Sequence, residues 1–187
     1  MANPNANRNR LIEIVKARSF STGAEIKLVS GRSSNFYFNM KPTMLDAEGA
    51  YLIATLVLDS IKGEDVDLVG GLEMGAVPLA SAVAVMSQTM GWPLQAFFVR
   101  KQAKEHGAKK LVEGLAPNET MQGKRVVILE DVTTTGGSSM KAIEAVKAEG
   151  ASIVRVISIV DRLEGAADSF KAAGIPFSAV LTVDDFR

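Results

Sequence analysis

The stretch Val126-Val127-Ile128-Leu129-Glu130-Asp131-Val132-Thr133-Thr134-Thr135-Gly136-Gly137-Ser138-Ser139 decides the fold of this 187-residue chain. Four consecutive aliphatics read as a strand buried on both faces, the kind found in a sheet covered by helices on both sides. Two adjacent carboxylates stand at the strand's carboxyl end. A loop of small residues follows and opens a helix over Gly137–Glu149. Gly136 and Gly137 let the backbone approach a ligand closely. The amides of the loop and first helical turn suit a phosphate, and Thr133, Thr134, Thr135 and Ser138 add hydroxyl donors. Glu130 and Asp131 would repel that phosphate, so they should face ribose hydroxyls, a developing sugar cation or a divalent metal. No lysine follows the glycines in the manner of the common P-loop.

Outward from this stretch the chain alternates. Val66–Gly70, Gln95–Val99, Ser152–Val160 and Phe177–Thr182 read as strands, with helices at Gly75–Met90 and Ala166–Ala173. The class is α/β, a mainly parallel central sheet flanked by helices, with ligands expected at the carboxyl ends of the strands. Nearer the N-terminus, Arg10–Ser19 reads as a helix with Leu11, Ile14, Val15 and Arg18 on one face. Extended segments near Glu25–Val29 and Asn35–Asn39 flank the turn-like Ser30–Ser34. Asp46 is an N-cap for a helix running to about Ile61. Met1–Arg10 is polar and Asn-rich, a short frayed leader. The expectation is one domain over residues 1–187, with a small N-terminal addition at about 20–45.

Composition narrows the ligands. Lys plus Arg balance Asp plus Glu at 21 each, so no overall field favours nucleic acid or an anionic membrane. An anionic ligand must therefore be caught locally. There is no cysteine, which excludes disulfides, thiolate zinc sites and a cysteine nucleophile. No apolar stretch approaches the roughly 20 residues that cross a bilayer, and no apolar signal core follows the leader. A cytoplasmic protein is expected. A second anion site is offered by Arg100-Lys101-Gln102-Ala103-Lys104-Glu105-His106-Gly107-Ala108-Lys109-Lys110, where five of eleven residues are basic and His106 is the chain's one histidine. Arg100–Lys110 has no large apolar residue, and about 100–111 reads as a mobile loop able to close over a leaving group.

The stretch at 126–139 resembles the signature of type I phosphoribosyltransferases. The resemblance implies that Glu130 and Asp131 bind the ribose hydroxyls of phosphoribosyl pyrophosphate, and that Val132, Thr133, Thr134, Thr135, Gly136, Gly137 and Ser138 bind its 5-phosphate. The spacing Arg-Lys-x-x-Lys-x-His resembles the catalytic loop of the orotate phosphoribosyltransferases. It implies that Arg100, Lys101, Lys104 and His106 bind the pyrophosphate end, and that Lys104, Lys101, His106 and Asp131 carry the catalysis. In that family the loop closes over the neighbouring subunit's site, so a homodimer with shared active sites is implied. Gly70–Pro78 resembles the family's pyrophosphate loop. Met74 stands where many members have lysine, so Glu73, Met74 and Gly75 are assigned through their backbone.

The acceptor is indicated by two further segments. Ser30-Gly31-Arg32-Ser33-Ser34-Asn35-Phe36-Tyr37-Phe38-Asn39-Met40-Lys41 resembles the hood motif of the orotate enzymes, which implies that Phe36 and Tyr37 face the base. Leu28 stands where some members have a hood lysine, and Lys27 and Lys41 are its substitutes. Arg162 of Val160-Asp161-Arg162-Leu163-Glu164 ends a strand, where it can pair bidentately with a carboxylate. By resemblance it contacts orotate together with Thr134. The implied activity is a Mg²⁺-dependent transfer of 5-phosphoribosyl to orotate, giving orotidine 5-monophosphate and pyrophosphate in UMP biosynthesis. No side chain is assigned as a metal ligand, since pyrophosphate and ribose hold the ion and Asp131 acts at most through water. The alternatives are a related enzyme for a purine or uracil, and a regulator that binds the donor without catalysis.

Overall fold

The computed structural model of the chain describes residues 4–27, 33–102 and 110–187. The aliphatic run becomes β6 (Arg125–Thr133), inside a six-stranded sheet. β3 (Leu68–Leu72) lies on one side of it and β7 (Ser152–Asp161) on the other. β4 (Gln95–Val99) pairs with β3, and β8 (Phe177–Thr182) pairs with β7. These pairings are all parallel. The short β5 (Val112–Glu113) adds an antiparallel edge on β4.

Alternate side chains of β6 enter two different cores. Val127 and Leu129 join the face covered by α1 (Pro4–Arg18), α3 (Ala47–Ser60) and α4 (Ala76–Thr89). Val126 and Ile128 join the face covered by α5 (Gly137–Ala148) and α6 (Ala166–Ala172). A strand flanked in this way needs an unbroken apolar run, which is what the sequence supplies.

The order of the strands places the site. The chain leaves β3 through α4 to β4 on one side, then returns to β6 on the other. That reversal opens a crevice between the carboxyl ends of β3 and β6.

Several details differ from the sequence reading. The first helix starts at Pro4 rather than Arg10. The polar leader is tied down by tertiary contacts: Asn7 is buried, and Arg8 donates to Val180 O at 3.1 Å and to Asp185 at 2.7 Å. Arg18 leaves the apolar face of that helix and pairs with Asp46 at 2.9 Å. β6 continues through Thr133, so Glu130 and Asp131 are strand residues. Asp46 caps α3 as expected, accepting from Gly49 N at 3.1 Å. The short α2 (Lys41–Met44) precedes it. No helix among the described residues is long and apolar enough to cross a membrane.

β1 (Phe20–Lys27) and β2 (Ser33–Phe38) form a separate antiparallel ribbon. A 3-10 turn at Val183–Phe186 follows the carboxyl end of β8. Phe186 packs against Phe20 at 5.3 Å and Phe38 at 5.0 Å between ring centroids. This aromatic cluster seats the ribbon at the carboxyl end of the sheet, on the same side as the crevice.

Candidate active site

The two acids of β6 differ sharply. Glu130 is 8% exposed, and its carboxylate accepts a hydrogen bond from Ser139 Oγ at 2.8 Å. Burial, reinforced by the neighbouring Asp131 charge, pushes the Glu130 carboxyl up to about 8. The Ser139 bond and the Lys101 charge oppose that rise. Near neutral pH Glu130 can therefore hold a proton, while Asp131 is half-buried and caps its own neighbour, accepting from Val132 N at 2.9 Å.

The loop after β3 comes directly against Asp131. A Cβ at Gly75 would lie 2.6 Å from Asp131 Oδ1, so a side chain there would force the carboxylate or the loop to shift. Glu73 links the loop to the basic segment, because its carboxylate accepts from Lys101 N at 2.7 Å. Glu73 N in turn donates to Val99 O at 2.8 Å. Met74 projects outward and is 60% exposed. Arg100 lies at the β5 edge, 3.8 Å from Glu113, with its Nε donating to Gln102 O at 3.3 Å. Lys101 is exposed. The other members of the proposed catalytic set, Lys104 and His106, lie outside the described residues.

The loop after β6 turns into α5 through Gly136, whose φ of 86° and close approach to Phe170 both require glycine. Thr135, Gly137 and Ser138 are exposed and Thr134 is half-buried, so this face of the loop is open to a ligand. Thr133 departs from the expectation of an outward hydroxyl donor. It is 2% exposed and donates to Ser158 Oγ at 2.8 Å, because its place in the strand turns the side chain into the fold.

Arg162 ends β7 beside this loop. Its backbone N donates to Thr133 O at 2.9 Å. The preceding Asp161 is buried, which raises its carboxyl, and it accepts from Leu163 N at 2.9 Å. The Arg162 guanidinium lies 4.3 Å from the centroid of the Phe36 ring. The structure thus joins Arg162 and Phe36, two expected base contacts from distant parts of the chain. Tyr37, on the opposite face of its strand, is 43% exposed and does not share that contact face. A groove of about 410 Å³ between ribbon and 3-10 turn is lined by Phe20, Asn35, Phe36, Phe186 and Arg187. Lys41 is exposed at the start of α2. The side chain of Lys27, together with Leu28 and the hood residues Ser30, Gly31 and Arg32, lies outside the described residues.

Two residues of the site were not singled out from the sequence. Ser139 shares a helix face with Ala142, Ile143 and Val146, all buried. A serine on an apolar face just after a pair of acids was the available signal. Glu164, which contacts Arg162 at 2.8 Å, had only its nearness in sequence to indicate it.

Comparison with known proteins agrees with this geometry. A family model for the phosphoribosyl transferase domain matches residues 43–186. The orotate phosphoribosyltransferase of Bradyrhizobium diazoefficiens is 59% identical over 181 residues, covering 97% of this chain and 96% of that protein. The crystal structure of Mycobacterium tuberculosis H37Rv orotate phosphoribosyltransferase in complex with 5-phospho-alpha-D-ribosyl 1-diphosphate is 34% identical, with a TM-score of 0.78. It covers 96% of this chain and 98% of that one. The orotate phosphoribosyltransferase of Aeropyrum pernix gives a TM-score of 0.77 at 30% identity, covering 93% and 94% of the two chains. With its threonine- and glycine-rich loop, paired acids and glycine-tight neighbouring loop at the carboxyl ends of adjoining strands, the chain belongs to the phosphoribosyl transferase domain family, among the orotate phosphoribosyltransferases.

Proposed function

We propose that this chain transfers the 5-phosphoribosyl group of phosphoribosyl pyrophosphate to N1 of orotate, with Mg²⁺, in the cytoplasmic synthesis of UMP. The observation that carries the reading is the convergence of Glu130 and Asp131, the open loop at 134–138 and Arg162 at adjoining strand ends. The loop amides and the hydroxyls of Thr134, Thr135 and Ser138 receive the 5-phosphate. Glu130 and Asp131 hold the ribose hydroxyls, and Asp131 favours positive charge developing at C1. The backbone of Glu73, Met74 and Gly75 faces the pyrophosphate. Arg162 pairs with the orotate carboxylate while Phe36 packs on the guanidinium. Orotate first loses its N1 proton to solvent, and the C1–O bond to pyrophosphate breaks as the N1–C1 bond forms. Arg100 and Lys101, with Lys104 and His106 assigned by resemblance, close on the departing anion.

The residues present fit a metal held chiefly by substrate. Glu130 and the half-buried Asp131 bring two carboxylates to the carboxyl end of β6. Mg²⁺ commonly uses one or two carboxylates with substrate phosphates. Asp131, acting through water, is the side chain placed to assist. When bound, the ion neutralises the pyrophosphate. A homodimer with shared sites is supported by resemblance.

The test follows the loss of orotate absorbance with phosphoribosyl pyrophosphate. Turnover that needs donor and Mg²⁺, and collapses in Arg162→Ala, supports the reading. Activity confined to a purine or uracil replaces the acceptor. Donor binding without turnover on any base replaces the enzyme with a regulator.

A further inference from the structure

We propose that Glu164 is a positioning residue, fixing Arg162 in the orientation from which the guanidinium receives the carboxylate of the base. The proposal rests on the reaction given above. The Arg162 side chain is 3% exposed, and that of Glu164 is 24% exposed. Arg162 Nε and Nη2 reach the same oxygen, Glu164 Oε1, at 2.9 and 2.8 Å. The guanidinium carbon of Arg162 lies over the Phe36 ring, 4.3 Å from its centroid. The ring holds the guanidinium from one side, and the two bonds to Glu164 limit its rotation.

The turn that carries both residues is itself held in place. Arg162 N is bonded to Thr133 O, Asp161 accepts from Leu163 N, and Leu163 takes a φ of 59°. Glu164 therefore returns to the arginine two positions earlier. Two physical needs meet here. A buried guanidinium without an anion is costly, and Glu164 supplies that anion between rounds of turnover. Planar recognition of a carboxylate also requires the fork to be aimed before the ligand arrives. Glu164 meets both needs without touching the base.

The experiment uses the full chain with orotate and phosphoribosyl pyrophosphate. Glu164→Ala is expected to raise the KM for orotate by about tenfold or more, the worth of one hydrogen bond to a charged group. The KM for the donor should stay unchanged, while the melting midpoint falls because the buried guanidinium loses its anion. Glu164→Gln keeps an acceptor oxygen and should bring the orotate KM back to within about threefold of the unaltered protein. An unaltered orotate KM in Glu164→Ala would overturn the proposal. So would a parallel rise of both KM values in both variants, which marks general damage to the turn. Turnover of the unaltered protein is measured first. Its absence with orotate removes the reaction itself, whereas turnover with an indifferent Glu164→Ala removes only the role of Glu164.

Discussion

Ser139 Oγ lies 2.8 Å from Glu130 Oε2, a bond between the first turn of α5 and the end of β6 with both side chains buried. The bond favours the ionised carboxylate against the burial that disfavours it. Ser139→Ala removes the donor without adding bulk. Losing a hydrogen bond to a charged group costs about 1.5–3 kcal/mol, or roughly one pKa unit or more. The acidic limb of kcat/KM for phosphoribosyl pyrophosphate should move upward by about one pH unit. A limb that stays in place in the variant would separate Ser139 from the ionisation of Glu130.

Glu130 also makes stability depend on pH, and the sign follows from its environment. Its folded value, about 8, lies above the ordinary 4.5. The folded state therefore binds more protons than the unfolded state between those values, and stability falls as pH rises through that window. Glu130→Gln keeps an acceptor for Ser139 and carries no charge. It should stabilise the chain on the order of 1–3 kcal/mol at pH 8, with little gain at pH 4.5. Ribose binding should be lost at the same time. Denaturant melts at the two pH values read the difference, and an equal shift at both would remove Glu130 as its source.

The features legible in the sequence were those encoded locally. Val126–Leu129 gave the strand because both faces of β6 are covered, and Asp46 gave a helix start because its cap bond spans three residues. The boundaries that moved were set by distant partners. Arg8 is held by Val180, 172 positions away, so Met1–Arg10 looked like a free leader. Three threonines in a row do not reveal which of them the strand turns inward; Ser158, 25 positions on, takes Thr133. The pairing of Phe36 with Arg162 depends on how the ribbon seats against Phe186, which no local pattern reports.

This division of the threonines is itself testable. Thr133→Val keeps the volume and loses the hydroxyl bonded to Ser158, while Ser158 Oγ keeps its bond to Val160 O at 2.9 Å. The variant should lose about 1 kcal/mol of stability. Thr135→Ala, at an exposed loop position, should leave the melting midpoint in place and raise the KM for phosphoribosyl pyrophosphate by about fivefold. Paired melts and kinetics separate the two. The reverse pattern, with Thr135 governing stability and Thr133 governing donor binding, would contradict the placement of these hydroxyls.

Gly75 offers the sharpest steric test of the crevice. Gly75→Ala places a methyl 2.6 Å from Asp131 Oδ1 and 2.8 Å from its carboxyl carbon. The carboxylate must turn away or the loop must retreat, because a Cβ does not approach so closely. Asp131 is already bonded to Val132 N, which narrows the choices for its movement. Either adjustment separates the backbone proposed for the pyrophosphate from the acid proposed for the ribose. Since misplacement by about 1 Å near reacting groups can cost roughly 100-fold, kcat/KM for the donor should fall by at least about tenfold. The effect on melting should be small, as the altered side chain lies at the crevice rather than in either core. Steady-state kinetics with donor as the varied substrate checks this, and retention of full kcat/KM would show that the Gly75–Asp131 approach has no part in donor use.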